Sequence, residues 1–125
     1  MKAVLVDSDI LIEVLRARDH TILGRWGELS RSETMALCSP VSVAELWRGV
    51  LPREQSKLND LFAAMTCIPT DADIGRRAGD YLRQYAKSHN TDLGDALIAA
   101  TASIHGVDLW TRNRRHYPMK DISFY

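Results

Sequence analysis

Short apolar runs alternate along this chain with longer segments in which apolar residues recur every three or four positions. This pattern predicts an α/β domain in which a mostly parallel central sheet is flanked by helices. The predicted strands are residues 3–6, 35–38, 66–69 and 108–111. The predicted helices are residues 7–17, 19–30, 40–51, 53–65, 71–88 and 95–105.

The segment DALIAATASIHG, from Asp95 to Gly106, is apolar on nearly every helical face. It predicts a helix that is buried in the middle of the fold. Gly106 is the expected end of this helix, because glycine readily adopts the left-handed conformation found there.

Length and composition suit one compact domain, residues 1–125, in which 46% of the 125 residues are hydrophobic. The 16 basic and 16 acidic residues balance, so a polyanionic partner must be bound locally. There is no leader pattern, and no apolar run approaches the ~18 residues of a membrane span, so we expect a cytoplasmic protein. Cys38 and Cys67 lack metal-binding spacing and are predicted to be reduced core residues.

Four polar side chains from distant parts of the chain follow predicted strands or lie in the helices between them. Asp7 directly follows the first strand, Glu45 lies in the helix after the second, Asp95 opens the buried helix and Asn113 follows the last strand. Ligands of parallel α/β sheets bind beyond the carboxyl ends of the strands, so these groups can meet at one edge. Three carboxylates would repel one another there at neutral pH unless a divalent cation neutralised them. Oxygen ligands of this kind favour Mg²⁺ or Mn²⁺.

Each of the three acids also has a purely structural interpretation. Asp7 is a favoured N-cap at a strand-to-helix turn. Glu45 can be an exposed partner of Arg48, three residues later on the same helix. Asp95 can be the third residue of a capping box that begins at Asp92. Taken one at a time, the residues leave both interpretations open.

Three stretches of sequence carry a family resemblance: VDSDILIEVL near the start, SVAELWRGV in the second unit, and DALIAATASIHGVDLWTRN near the end. Together with the chain length, they resemble the PIN-domain family, and more closely the VapC toxins of bacterial toxin–antitoxin pairs. The resemblance covers nearly the whole chain, and DALIAATA and TRN are its most specific parts. It implies a single PIN-like domain and an endoribonuclease that depends on Mg²⁺ or Mn²⁺.

The resemblance also implies roles for individual residues. Matching by motif makes Asp7, Glu45 and Asp95 the catalytic, metal-binding acids. Asn113 stands where many relatives have a fourth aspartate, which leaves one charge fewer. Residues expected to support the ligands from close behind are Ser8, Asp9, Asp92, Thr111 and Asn113. In-line attack by an activated water would leave 5′-phosphate and 3′-hydroxyl ends.

Basic residues follow the last predicted strand, in the segment TRNRRH. A charge run of this kind is most often a solvated loop. Beside a ribonuclease site, its arginines would supply the phosphate contacts that the neutral overall charge does not. The candidates for RNA binding are therefore Arg112, Arg114 and Arg115.

Partners other than RNA are implied by the resemblance as well. VapC-like toxins form homodimers, and a cognate VapB-like antitoxin holds each inactive by laying its C-terminal segment over the acidic groove. Apolar residues on the early helices are compatible with such contacts, although ordinary core packing explains them too. They are Trp26, Leu29, Leu58, Leu61 and Phe62.

Other classes of protein fit parts of the sequence. A phosphotransfer enzyme of the haloacid-dehalogenase kind would use Asp7 as nucleophile, but those enzymes continue D-x-D-G-T, whereas this chain reads DSDIL. A receiver domain needs a further aspartate after a central strand and a late lysine, and neither stands at a suitable place. A catalytically silent PIN scaffold would be expected to have lost at least one of Asp7, Glu45 and Asp95.

Overall fold

A four-stranded sheet forms the centre of the computed structural model, which describes residues 2–125. Each of the three pairings between its strands is parallel, which confirms the predicted α/β fold with a parallel sheet. In spatial order the strands are β3 (Thr66–Cys67), β2 (Met35–Cys38), β1 (Ala3–Val6) and β4 (Asp108–Trp110).

Six α-helices connect the strands within residues 2–125, and each overlaps a helix predicted from the sequence. They are α1 (Ser8–Arg16), α2 (His20–Arg31), α3 (Pro40–Gly49), α4 (Gln55–Ala63), α5 (Ala72–His89) and α6 (Leu93–His105). Single 3-10 turns at Pro52–Glu54 and Arg114–His116 complete the helical structure. The described residues contain no helix that is both long and apolar enough to cross a membrane.

The alternating side chains of the strands divide the core into two layers, one on each face of the sheet. On β1, Leu5 packs into the layer shared with α5 and α6, whereas Val4 and Val6 pack into the layer shared with α1 to α4. Helix α6 is the most deeply buried, as its all-round apolar sequence predicts, with Ala96 and Ala99 fully inaccessible to solvent. The sheet therefore lies between two helical layers.

The third strand and one cysteine differ from the sequence-based predictions. The predicted strand 66–69 is only two residues long, Thr66–Cys67, and lies at the edge of the sheet. Cys38 is buried, as predicted, but Cys67 is exposed, so the prediction that it is a core residue is wrong. The reason is its place in a two-residue strand at the edge of the sheet, both of whose residues are exposed.

The C-terminal segment covers the free edge of β4. The Leu109 N–H donates to the Ser123 carbonyl at 2.9 Å, and the Tyr125 N–H donates to the Leu109 carbonyl at 2.9 Å. The Arg25 guanidinium lies 4.5 Å from the centre of the Tyr125 ring, a cation–π contact that joins α2 to the chain end. A side-chain network around Asp121, which accepts from Tyr81 at 2.7 Å and from Ser103 at 2.7 Å, fixes the same segment to α5 and α6.

Two glycines offer a matched test of the helix boundaries. Gly106 ends α6 in the left-handed region, at φ 62°, where a side chain costs about 1 kcal/mol. Gly79 lies inside α5 with nothing within 4 Å of the position of an added Cβ. We therefore expect Gly106→Ala to lower the free energy of unfolding by about 1 kcal/mol and Gly79→Ala to raise it by roughly 0.5–1 kcal/mol in urea titrations. If both substitutions changed the free energy of unfolding in the same direction, the end of α6 at Gly106 would be contradicted.

Candidate active site

The candidate site lies at the carboxyl end of the sheet, at the point where the chain leaves β1 toward one side and β4 lies on the other. In an α/β sheet this switch point opens a crevice beyond the strand ends. Asp7 follows β1 directly and Thr111 follows β4 directly. The Asp7 N–H donates to the Trp110 carbonyl at 2.9 Å, so the two strand ends are held side by side.

Asp7 combines the two interpretations that its sequence position allows. It is the N-cap of α1, and its Oδ1 accepts from the Ser8 N–H at 2.8 Å. Its Oδ2 accepts from the Thr111 hydroxyl at 2.9 Å and from the Tyr117 hydroxyl at 2.8 Å. Only 7% of the residue is exposed, with no cationic partner among these contacts. A helix cap does not require the carboxylate to be buried, and burying a carboxylate without a cation costs free energy.

Asp9 stands behind Asp7, as predicted. One of its oxygens accepts from the Arg112 N–H at 3.0 Å and lies 3.2 Å from the Thr111 hydroxyl. Thr111 has one hydroxyl proton and faces both aspartates, so it can satisfy only one of them at a time. Its position makes it the link between Asp7 and Asp9.

Glu45 reaches the site from α3. Its Oε1 accepts from the Ser8 hydroxyl at 2.7 Å, which ties it to the turn that carries Asp7. An ideal Cβ on Gly94 would lie 3.8 Å from Glu45 Oε2 and 3.5 Å from Asp92 Oδ1. Both distances are ordinary van der Waals contacts, so Glu45 of α3 and the start of α6 are neighbours at Gly94. The partner of Glu45 is therefore Ser8, and not Arg48 as the structural interpretation had it.

Asp95 is both a helix cap and a member of the acidic group. Its backbone N–H donates to Asp92 Oδ1 at 2.8 Å, which completes the capping box expected from the spacing. Its Oδ1 lies 3.3 Å from the Tyr117 hydroxyl, and its Oδ2 lies 3.3 Å from His116 Nδ1. The same carboxylate therefore caps α6 and faces Asp7 across one hydroxyl.

Tyr117 and His116 are site residues that sequence reasoning missed. The Tyr117 hydroxyl lies between Asp7 and Asp95, and its ring is buried. The sequence contained one signal for Tyr117. The segment between Asn113 and Tyr117 is too short to carry the tyrosine far from the end of the strand. The 3-10 turn Arg114–His116 folds that segment back over the edge of the sheet.

The other predicted site residues are placed around this group. The Asn113 side-chain amide contacts the His116 ring at 3.0 Å, and the Asn113 N–H donates to the Thr111 hydroxyl at 3.1 Å. Asn113 therefore reaches the acids through its neighbours. Arg112 lies 3.4 Å from Glu13, and the Arg114 guanidinium stacks 4.8 Å from the centre of the Phe124 ring. Arg115 is exposed and lies beside His116 in a surface cleft.

Asp7, Asp9 and Asp95 lie in an environment that disfavours the charged forms of their carboxyl groups. Burial is the main cause in each case, and it raises the pKa of Asp7 despite three hydrogen bonds that act in the opposite direction. Burial together with the charge of Asp7 raises the pKa of Asp9 to about 6. Burial together with the charge of Asp92 raises the pKa of Asp95 to about 6. The site carries more negative charge than its own hydrogen bonds neutralise.

This donor set fits a divalent cation by its chemistry. The available ligands are carboxylate oxygens, which suit Mg²⁺ or Mn²⁺, and the pKa values of Asp7 and Asp95 are raised mainly by burial and further by neighbouring acidic charge, both of which a bound cation would offset. Within residues 2–125, no three acidic, histidine or cysteine side chains are already positioned to share one ion. The Tyr117 hydroxyl stands between Asp7 and Asp95 and contacts one oxygen of each carboxylate.

The raised pKa values predict how stability depends on pH when divalent cations are removed. Between about pH 4 and pH 6 the folded state binds more protons at Asp9 and Asp95 than the unfolded state does, so these groups lower stability as the pH rises. In EDTA we expect thermal unfolding to occur at a higher temperature at pH 5 than at pH 7.5, and Asp95→Asn to reduce that difference. Asp121, whose pKa is lowered, loses its contribution only at lower pH. If Asp95→Asn showed the same difference in unfolding temperature between pH 5 and pH 7.5 as the wild type, Asp95 would not be a source of this pH dependence.

An α/β domain with buried carboxylates at the carboxyl end of a parallel sheet defines a class of proteins with an acidic site at the strand ends, and sequence comparison names the family to which this chain belongs. The chain belongs to the PIN-domain family, whose model matches residues 4–122. It is similar to ribonuclease VapC10 of Mycobacterium tuberculosis, with 42% identity over 93% of this chain and 86% of that protein. Ribonuclease VapC19 of the same organism is 34% identical over 92% of each chain.

Structural comparison agrees on the fold. The crystal structure of DNA-bound VapBC from Salmonella typhimurium matches with a TM-score of 0.83 and 17% identity, covering 100% of this chain and 98% of that one. At this identity the match supports the architecture alone. The resemblance to the PIN-domain family and its VapC members, read from the three sequence stretches, is confirmed.

Proposed function

We propose that this protein is a metal-dependent endoribonuclease and the toxin component of a type II toxin–antitoxin system in the cytoplasm. The observation that carries the proposal is the pair of carboxylates, Asp7 and Asp95, that meet at one buried hydroxyl with raised pKa values. The similarity to proteins named ribonuclease VapC10 and VapC19 supports RNA as the substrate.

In this proposal Asp7, Asp95 and Glu45 hold Mg²⁺, with Mn²⁺ as a substitute. The chemistry such an ion supplies when bound is activation of a water molecule and stabilisation of negative charge on the phosphate. Thr111 and Ser8 orient the carboxylates through their hydroxyl groups, at 2.9 Å from Asp7 and 2.7 Å from Glu45 respectively. Asp9 adds negative charge close behind Asp7.

Cleavage in this arrangement requires no protein nucleophile. The carboxylates position the reacting groups for in-line attack, and the products carry 5′-phosphate and 3′-hydroxyl ends. The chain as a whole carries no net charge, so RNA must be bound by a local group of basic residues. In this proposal the basic side chains near the 3-10 turn Arg114–His116 position the RNA backbone.

We also propose a VapB-like antitoxin and a second copy of the chain as partners. Several of the solved structures that this fold matches are named VapBC complexes, including one from Rickettsia felis. Apolar side chains remain available for such contacts: Trp26 and Leu61 line one open groove between α2 and α4, and Trp47 is 45% exposed on α3. Leu29 and Leu58, by contrast, are buried in the core.

The test is digestion of total bacterial RNA by the purified protein with Mg²⁺, with Mn²⁺ and with EDTA. We expect discrete fragments in either metal, none in EDTA, and 5′-phosphate ends on mapping. Absence of cleavage together with absence of metal binding in calorimetry would overturn the proposal in favour of a silent scaffold. Turnover of small phosphate esters in place of RNA would favour the phosphotransfer alternative.

A further inference from the structure

We propose that a basic cleft at the C-terminal end of α5 binds a phosphate of the RNA strand next to the acidic site. This inference rests on the proposed ribonuclease function and names the part of the surface that holds its substrate. The cleft has a volume of about 450 Å³ and is lined by Lys87, Ser88, His89, Asn90, Arg115 and His116.

The chemistry of the lining suits a phosphate group. Lys87 and Arg115 carry positive charge, and Asn90 offers neutral hydrogen-bonding groups. Ser88 Oγ and His89 Nδ1 bond to each other at 2.7 Å, so the lysine and the arginine are the main groups that an anion would meet. None of the lining residues is acidic, although the chain as a whole has as many acidic as basic residues. Local concentration of donors is what a neutral protein needs to hold RNA.

The cleft adjoins the acidic group through His116. The ring of this residue lines the cleft, and its Nδ1 lies 3.3 Å from Asp95 Oδ2. The Thr91 hydroxyl donates to the His116 carbonyl at 3.0 Å, which fixes the 3-10 turn against the loop between α5 and α6. An RNA strand that crosses the acidic group toward α5 would therefore enter the cleft next.

The other arginines of the basic segment already have partners within the chain. Arg112 pairs with Glu13 at 3.4 Å, and Arg114 stacks on Phe124. Within residues 2–125, neither Lys87 nor Arg115 takes part in an ion pair, and both are exposed. Of the three arginines predicted to bind RNA, Arg115 is the one with neither an ion-pair partner nor an aromatic ring stacked on its guanidinium.

Helix electrostatics do not account for the whole cluster. Lys87 and His89 lie in the last turn of α5, where positive charge interacts favourably with the helix dipole. Arg115 comes from a separate 3-10 turn that follows β4, and the dipole of α5 does not require it there. Convergence of cationic side chains from two elements points to an anionic ligand.

The test measures RNA binding as a function of salt, in EDTA and in the Asp7→Asn background so that the RNA is not cut. The probe is a fluorescein-labelled single-stranded RNA of about 12 nucleotides and mixed sequence, followed by fluorescence anisotropy between about 50 and 200 mM KCl. Lys87→Gln combined with Arg115→Gln removes two charges from the cleft. Lys57→Gln combined with Lys120→Gln removes two exposed charges elsewhere and is the matched control.

We expect the cleft double variant to flatten the plot of log affinity against log salt by about 0.7, because the cleft holds one phosphate and each phosphate contact on single-stranded RNA contributes about 0.7 to the slope. The control variant should keep the slope of the parent. Equal slopes in all three proteins, or equal flattening in both double variants, would overturn the inference. If the parent binds no RNA, the cleft inference also fails, while digestion by wild-type protein decides the ribonuclease proposal separately.

Discussion

Asp7→Asn should lower the rate of RNA cleavage by about 10²–10³-fold while leaving the protein at least as stable as the wild type. The loss corresponds to several kcal/mol of transition-state stabilisation, the amount expected when a metal-binding carboxylate is removed. Stability should not fall, because the substitution removes a buried charge whose pKa is already raised by burial. The measurements are initial rates of RNA cleavage and the unfolding temperature in EDTA.

Asp19→Asn is the control for the alternative that Asp7 is only a helix cap. Asp19 is the N-cap of α2, and its side chain accepts from the Ile22 N–H at 3.1 Å. Asparagine caps helices about as well as aspartate does, so this variant should keep the wild-type rate. If Asp7→Asn also kept the wild-type rate, Asp7 would have no catalytic role.

The second large effect is expected from Mn²⁺ on thermal stability. An ion that binds only the folded state contributes about 2.7 kcal/mol at a concentration of one hundred times its Kd. For a domain of this size, that is an increase of about 10 °C in unfolding temperature at pH 7.5. The cause is neutralisation of the carboxylates of Asp7, Asp9 and Asp95, whose charged forms are disfavoured mainly by burial and further by neighbouring acidic charge. Differential scanning fluorimetry with and without Mn²⁺ measures it.

The pH provides the control for this second prediction. At pH 5 the carboxyls of Asp9 and Asp95, with pKa values of about 6, are largely protonated. The bound protons then compete with the cation for these carboxylates. The increase in unfolding temperature should therefore shrink at pH 5, and Asp95→Asn should reduce it at pH 7.5. A wild-type protein unaffected by millimolar Mn²⁺ at pH 7.5 would exclude a specific cation site.

Much of the fold follows from local sequence signals. The strand 3–6 and the capping box of α6 were predicted because a short apolar run and an Asp-x-x-Asp spacing each act through neighbouring residues. The end of α6 at Gly106 follows equally from the backbone freedom of glycine. The positions of Asp7 directly after β1 and of Asp95 at the start of α6 pointed to the same end of the sheet, where both approach one hydroxyl.

Contacts between distant segments were not predictable in the same way. The role of Tyr117 depends on a 3-10 turn that returns the chain across the sheet edge, and no periodic pattern marks such a turn. The partners of Arg112 and Arg114 come from α1 and from the C-terminal segment, so their charges looked free in the sequence. The exposure of Cys67 depends on how few residues β3 contributes to the sheet.

The covering of β4 by residues 123–125 has a consequence for how this protein can assemble. An unpaired sheet edge is a template for β-augmentation, in which a strand from another chain adds to the sheet. Here one edge is already hydrogen-bonded to the chain's own end at Leu109, and the other is the two-residue β3. Within residues 2–125, neither edge offers a long row of free backbone groups. We therefore expect any association with the proposed antitoxin or a second copy to use side chains on the helices and not backbone strand exchange.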